Sequence, residues 1–148
     1  MTAAAAPRPV LVAGGGIGGL AAALALARCG IAVMVLEQSA EIGEIGAGVQ
    51  LGPNAFAAFD ALGVGARARA LAVHTDRMTM FDATDESVVC DVPFGEAFRR
   101  RFANPYAVMH RADVHGLLYE AVRATELIRF VTGTRVERIV QDDGGVTA

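Results

Sequence analysis

Three glycines at a defined spacing are the residues of this chain that point most directly to a chemistry. Gly14, Gly16 and Gly19 satisfy the pattern GxGxxG. In this pattern the first glycine permits a tight turn, the second lets the backbone approach a diphosphate, and the third lets a helix pack closely on a strand. The diphosphate would bind free N–H groups at the start of a helix that begins at Ile17, where the helix dipole favours negative charge.

An acidic residue follows these glycines at the distance expected for ribose recognition. Glu37 ends the next predicted strand, where an acidic side chain accepts hydrogen bonds from a ribose 2′-OH. Charged hydrogen bonds of this kind contribute roughly 1.5–3 kcal/mol each. A glutamate at this position favours a ribose without a 2′-phosphate, as in FAD or NAD, over NADP. The motif itself does not separate FAD from NAD.

These residues need a strand, a turn and a helix to position them. Pro9–Ala13 predicts a buried strand, Ile17–Cys29 predicts a helix that Gly30 ends, and Ala32–Glu37 predicts a second buried strand. The glycines also argue against a single membrane-spanning helix over the apolar run Val10–Leu36. The sequence therefore predicts a βαβ unit that binds a dinucleotide. The alternative is a glycine-rich turn in an ordinary α/β protein.

Composition argues against several other classes of protein. The chain has 148 residues, of which 53% are hydrophobic, and it carries 16 acidic and 13 basic residues. The apolar content is too high for a disordered chain, and the negative net charge disfavours a nucleic-acid binder that relies on bulk positive charge. Because every basic residue is arginine, a Schiff-base lysine and a P-loop lysine are excluded.

The cysteines, the histidines and the N-terminus give further expectations. Cys29 and Cys90 form no CxxC pair, which favours a reducing compartment. His110 and His115 lack the i, i+4 spacing of a helical metal pair. Residues 1–8 lack the pattern of a secretory signal and are predicted to be a flexible tail. We therefore expect a cytoplasmic protein with no metal site and no transmembrane segment.

The middle of the chain does not continue the alternation of strands and helices. Gln38–Gly52 is too glycine-rich for a regular element and predicts a long loop that is mobile or contacts a ligand, with a simple connection as the alternative. Pro53 opens a predicted helix whose aromatic residues are expected in the core. The basic run Arg99–Arg101 predicts a solvated loop, with a clamp for an anionic ligand or partner as the alternative. The antiparallel strands expected within residues 75–110 are interpreted as the beginning of an inserted sheet, as in a second subdomain built over a cofactor. These strands are Arg77–Asp82, Ser87–Val92 and Tyr106–His110.

The last third of the chain predicts a helix followed by further strands. Arg111–Thr125 carries apolar residues at helical spacing. Strands are predicted at Ile128–Val131, at Thr134–Gln141 and from Val146 onward, with a turn at Asp142–Gly145.

Four segments together resemble the N-terminal part of the single-component, FAD-dependent aromatic hydroxylases, and the match runs across essentially the whole chain. The resemblance implies an α/β fold like that of p-hydroxybenzoate hydroxylase. Residues 9–148 would form the N-terminal part of a Rossmann-like FAD-binding domain, with a parallel sheet and part of an inserted antiparallel sheet. The segments are GGGIGGLAAALAL from Gly14, LEQ at Leu36–Gln38, EIGAGVQLGPNA from Glu44 and YAVMHRADVHGLL from Tyr106.

The resemblance also implies which residues contact FAD. The glycines of the fingerprint would hold the diphosphate and Glu37 the adenosine ribose. The segment Gly46–Gln50 would lie along the flavin ring and ribityl chain, and Arg111 matches a position that contacts FAD in this family. The implied cofactor-binding residues are Gly14, Gly16, Ile17, Gly19, Glu37, Gln38, Gly46, Ala47, Gly48, Val49, Gln50 and Arg111.

The implied reaction is a hydroxylation in two halves. NADH reduces the flavin when a hydroxybenzoate-type acid is bound, and O₂ then forms a flavin C4a-hydroperoxide that transfers one oxygen atom to the ring. The family's catalytic acid and base residues would lie beyond Ala148, so the resemblance implies no catalytic residue within this chain. We therefore expect the chain to be inactive without a C-terminal half or a partner chain, and homo-oligomerisation stays open.

Two alternatives to this function remain. One is a non-catalytic dinucleotide-binding or interaction module that needs a partner chain. The other is an NAD-linked dehydrogenase, which fits the glycine fingerprint but does not account for Glu44–Ala55 or for the hairpin that follows.

Overall fold

A computed structural model describes residues 8–43, 46–142 and 144–148. The predicted tail lies outside the described residues, except for Arg8. Glu44, Ile45 and Asp143 also lie outside them.

The helices and strands follow one another in this order. The strands are β1 (Val10–Ala13), β2 (Val33–Leu36), β3 (Gly48–Leu51), β4 (Val73–His74), β5 (Arg77–Phe81), β6 (Val88–Pro93), β7 (Ala107–His110), β8 (Ile128–Val131), β9 (Val140–Asp142) and β10 (Gly145–Thr147). The helices are α1 (Ile17–Arg28), α2 (Pro53–Ala61), α3 (Gly65–Leu71), α4 (Glu96–Phe102) and α5 (Arg111–Arg123).

The chain divides into two compact units, and the first is built on a parallel sheet of order β1-β2-β8. Val12, Val35 and Phe130 lie side by side across its three strands. Parallel neighbours need a crossover connection, which α1 provides between β1 and β2. Ala23 of α1 packs against the buried Val33 and Val35 of β2. These observations confirm the predicted βαβ unit and its parallel sheet. The sequence predicts a buried first strand, but no residue of β1 is buried, because β1 lies at the edge of the three-stranded sheet.

Helix α1 buries one face and ends where the sequence predicts. Its buried residues are Leu20, Ala23, Leu24 and Ala27, which recur at the helical spacing of a single face. Gly30 has a φ of +78° and donates its N–H to the carbonyl of Ala27 at 2.9 Å, as a C-terminal glycine does. Among the described helices, none is both long enough and apolar enough to cross a membrane.

The second unit, residues 46–113, is built on antiparallel strands. Strand β7 pairs with both β3 and β4, while β5 and β6 form a separate hairpin with an irregularity at Met80/Phe81. Helix α2 buries Phe56 and Phe59, as predicted. The antiparallel strands expected in the middle of the chain are thus confirmed.

Three local predictions are corrected by the structure. The segment predicted as an irregular loop contains β3, because pairing of Gly48 with His110 and of Leu51 with Ala107 satisfies its backbone groups. The arginine run predicted as a loop lies in α4, where Arg100 donates to Glu96 at 2.6 Å across one helical turn. The strand predicted at Thr134–Gln141 forms only from Val140 onward.

Candidate dinucleotide-binding site

The glycine turn between β1 and α1 has different geometric requirements at each glycine of the motif. Gly14 has a φ of +101°, a conformation that favours glycine, and its N–H donates to the carbonyl of Leu36 at 2.8 Å. A Cβ on Gly19 would collide with the Gly14 carbonyl oxygen. A Cβ on Gly16 would meet nothing within 4 Å. The tight turn and the close packing are therefore as predicted, and the backbone at Gly16 is open to an approaching group.

Gly15 is a further glycine that the structure requires, although it lies outside the GxGxxG pattern. A Cβ built on Gly15 would approach the ring of Phe130 to 2.6 Å and the Cβ of Glu37 to 3.2 Å. Side chains would therefore have to move to accept any other residue. The sequence pattern gave no signal for this requirement, because Phe130 lies far along the chain on β8.

The carboxylate of Glu37 is fixed at the end of β2 by two backbone donors. Its Oε2 accepts from the Gly15 N–H at 2.6 Å, and its Oε1 accepts from the Ser39 N–H at 2.8 Å. These hydrogen bonds, chiefly the one from Ser39 and then the one from Gly15, hold the pKa of Glu37 below its ordinary value. A carboxylate has about four acceptor positions. It can therefore accept from a ribose hydroxyl while it keeps both backbone donors.

Glu37 also lies between two cavities of the first unit. The smaller has a volume of about 140 Å³ and the larger a volume of about 310 Å³. Gly14 and Gln38, two of the predicted binding residues, line the larger cavity, and Gly16 lines the smaller one. The remaining lining residues are Gly15, Ser39, Glu41, Ile42, Gly43 and His115 in the smaller cavity and Ala13, Leu36, Thr134, Arg135 and Val136 in the larger.

His115 is a residue of this site that sequence reasoning missed. It lies on the buried face of α5, and its Nε2 is 2.8 Å from the carbonyl oxygen of Gly15. The spacing of His115 from His110 bears only on metal binding and does not predict this contact. Within the described residues, no three metal-binding side chains are grouped to hold an ion.

The other predicted binding residues lie in the second unit. The N–H of Arg111 donates to the carbonyl of Ala47 at 3.2 Å. A Cβ on Gly46 would approach Cδ of Arg111 to 2.9 Å, so that this glycine accommodates the arginine stem. Gln50 accepts a hydrogen bond from the hydroxyl of Tyr106 at 2.5 Å. The structure therefore brings Gly46, Ala47 and Arg111 together within this unit.

Comparison with known proteins decides the family. Residues 8–148 match the FAD binding domain family. The chain belongs to that family. This membership confirms FAD as the cofactor, a choice that the glycine fingerprint alone left open between FAD and NAD.

Relatives in this family include two 3-hydroxybenzoate 6-hydroxylases. One, from Polaromonas naphthalenivorans, is 66% identical over 139 residues, which are 94% of this chain and 35% of the relative. The other, from Klebsiella oxytoca, is 53% identical over 137 residues, which are 93% of this chain and 34% of the relative. The chain thus spans about a third of the length of these relatives.

Solved structures show the same fold. The p-nitrophenol 4-monooxygenase PnpA from Pseudomonas putida superposes with a TM-score of 0.80 at 23% identity, over 95% of this chain and 38% of the other. The flavin-dependent monooxygenase PieE, solved in complex with FAD and substrate, gives a TM-score of 0.78 at 23% identity, over 95% of this chain and 27% of the other. The predicted fold class is thereby confirmed.

The glycine turn of this FAD-binding chain has the donor set that a diphosphate needs. The N-cap residue Gly16 has no side chain to cap α1, and the first turn of α1 contains no acidic residue. Its N–H groups are therefore available to an external anion. The individual contacts of the predicted binding residues with FAD stay predictions.

Proposed function

We propose that this chain is the FAD-binding part of an NADH-dependent monooxygenase that hydroxylates a hydroxybenzoate-type acid with O₂. The names of the relatives support 3-hydroxybenzoate as the substrate and ring position 6 as the site of hydroxylation. The observation that carries the proposal is the uncapped glycine turn beside the fixed Glu37 carboxylate, in a chain 66% identical to such an enzyme.

Each end of the adenosine diphosphate has a binding group in the first unit. The N–H groups at the start of α1, from Gly16 and Ile17 onward, donate to the diphosphate, with Gly14 and Gly19 shaping the turn that presents them. Glu37 accepts from the adenosine ribose through an ionised carboxylate, whose pKa the backbone donors Ser39 and Gly15 lower further. Gln38 lines the larger cavity beside it.

Contacts to the flavin end of the cofactor are also proposed. Family resemblance supports a role for Gly46–Gln50 along the flavin and for Arg111 as a cation near it. Bound FAD supplies the redox chemistry of the reaction, while the protein positions the substrate and excludes water. Residues 75–110 are proposed to begin the sheet that covers the substrate.

Titration with FAD, using NAD as the control ligand, tests the cofactor assignment. We expect saturable quenching of flavin fluorescence and no comparable binding of NAD. Glu37→Gln should weaken FAD binding by at least about tenfold, because a charged hydrogen bond contributes roughly 1.5–3 kcal/mol. The matched control is Glu126→Gln, an exposed glutamate of the same unit, which should leave the affinity unchanged. A folded chain that does not bind FAD would contradict the proposal.

The chain alone is proposed to lack hydroxylase activity. With FAD, NADH and 3-hydroxybenzoate present, chromatography should detect no hydroxylated product, since the chain spans about a third of the length of the relatives named for this activity. Formation of a dihydroxybenzoate by the isolated chain would contradict this part of the proposal.

A further inference from the structure

Side chains hold both backbone polar groups of Gly15. Its N–H donates to Oε2 of Glu37 at 2.6 Å, and its carbonyl oxygen lies 2.8 Å from Nε2 of His115. A carbonyl oxygen only accepts hydrogen bonds, so Nε2 of His115 must carry the hydrogen. The hydrogen bond therefore specifies the tautomer of the imidazole.

Packing fixes the imidazole in place. His115 is 6% exposed, and its ring stacks with that of Tyr119 at a centroid distance of 6.2 Å and an interplanar angle of 16°. Tyr119 in turn packs edge-on against Phe130 at 5.2 Å. Phe130 occupies the space that a Cβ of Gly15 would take. One series of aromatic side chains thus supports both the donor ring and the glycine that accepts its hydrogen bond.

This hydrogen bond also determines the direction of the next amide. The Gly15 carbonyl and the Gly16 N–H belong to one planar peptide, and no peptide bond in the described part of the chain is cis. Holding the carbonyl toward His115 therefore directs the Gly16 N–H the opposite way. Among the described residues, no backbone carbonyl accepts a hydrogen bond from the Gly16 N–H.

We propose that His115 is a positioning residue for the cofactor diphosphate. Its Nε2–H orients the Gly15–Gly16 peptide so that the Gly16 N–H donates to the diphosphate at the start of α1. This inference rests on the proposed function, since it assumes that the turn binds FAD. It adds a residue of α5 to a site that the glycine motif assigns to the β1–α1 turn alone.

Two substitutions separate the hydrogen bond from the packing. His115→Phe keeps an aromatic ring beside Tyr119 but cannot donate. His115→Gln places an amide N–H near the position of Nε2 and can donate. His74→Phe is the matched control, because His74 lies in the second unit and outside the proposed site.

The measurement compares ADP with adenosine in calorimetric titrations, and includes FAD itself. We expect His115→Phe to weaken ADP and FAD binding by roughly tenfold and to leave adenosine binding unchanged, since one hydrogen bond to the diphosphate is misdirected. His115→Gln should restore most of the lost affinity, and His74→Phe should match the unsubstituted chain. In ¹⁵N spectra, the imidazole of His115 should be the Nε2–H tautomer.

Several results would overturn the proposal. Equal loss of ADP and adenosine binding in His115→Phe would show a purely structural role, and unchanged ADP binding would show no role. Failure of His115→Gln to restore affinity, or an imidazole protonated only on Nδ1, would remove the hydrogen bond on which the inference depends. Absence of FAD binding in the unsubstituted chain would instead overturn the proposed function, while the tautomer measurement would still test the His115 hydrogen bond.

Discussion

The parallel sheet of the first unit and the β5–β6 hairpin of the second differ in how their apolar side chains are packed. Val33 and Val35 of β2 are at most 1% exposed, whereas Phe81 of β5 and Val89 of β6 are 59% and 61% exposed. Alternation of buried and exposed residues is therefore absent on the hairpin, where apolar residues of both strands face solvent.

This difference in burial determines which of the two regions can hold ligand-binding groups in fixed positions. Groups that bind a ligand must be held by packing that fixes their positions before the ligand arrives. The glycine turn meets this condition, because Phe130, Glu37 and His115 all contact Gly15 or its hydrogen-bonding groups. The hairpin does not, and exposed apolar surface of its kind is typical of an interface.

The largest effect is expected for Gly19→Ala, which tests the rigidity of the turn. The added methyl would collide with the Gly14 carbonyl, a backbone atom that cannot move alone. We expect a loss of about 3 kcal/mol in the free energy of unfolding by urea. The matched substitution Gly18→Ala meets nothing within 4 Å in the same helix and should stabilise by up to about 1 kcal/mol. Equal effects of the two substitutions would contradict the close packing at Gly19.

A second pair of substitutions compares the sheet directly with the hairpin. Val35→Ala removes fully buried methyl groups and should lower the free energy of unfolding by about 2 kcal/mol. Val89→Ala removes methyl groups that are largely in solvent, so its effect should stay within about 0.5 kcal/mol. Denaturant unfolding of both variants measures the difference. A large loss for Val89→Ala would show that the hairpin is covered in solution.

A smaller effect is expected from the ionisation of Glu37. Because its pKa is lower in the folded chain than in the unfolded one, its ionised form stabilises the fold above the unfolded pKa, and this contribution is lost as the pH falls through the folded pKa. The difference in stability between the unsubstituted chain and Glu37→Gln should therefore shrink on acidification. Urea unfolding at several pH values measures it, and a difference that grows toward acid pH would contradict the assigned hydrogen bonds.

The sequence predicts the first unit better than the second for a physical reason. The βαβ unit depends on local signals, namely short apolar strands on either side of a glycine turn and a helix that Gly30 ends. Strand β3 depends on its pairing with β7, which is distant in sequence. Gly48 and the flanking Gly46 and Gly52 argue against a strand when the sequence is considered alone. Helix α4 could have been found from the i, i+4 pair of Glu96 and Arg100.

Residues of the candidate site likewise differ in whether local sequence predicts them. The types and spacing of Gly14, Gly19 and Glu37 follow from the backbone conformation and contacts within one supersecondary unit, so a pattern predicts them. The role of His115 depends on a hydrogen bond to a carbonyl 100 residues away. No periodicity or spacing encodes such a contact.

Amide chemical shifts of the ¹⁵N-labelled chain, recorded during addition of FAD, test most directly whether the glycine turn binds the diphosphate. We expect the largest shifts at the amides of residues 14–19 and of Ser39, which donates to Glu37. The amides of β5 and β6 should change little by comparison. Shifts concentrated on the hairpin, with the glycine turn unchanged, would contradict the assignment of the turn as the diphosphate site.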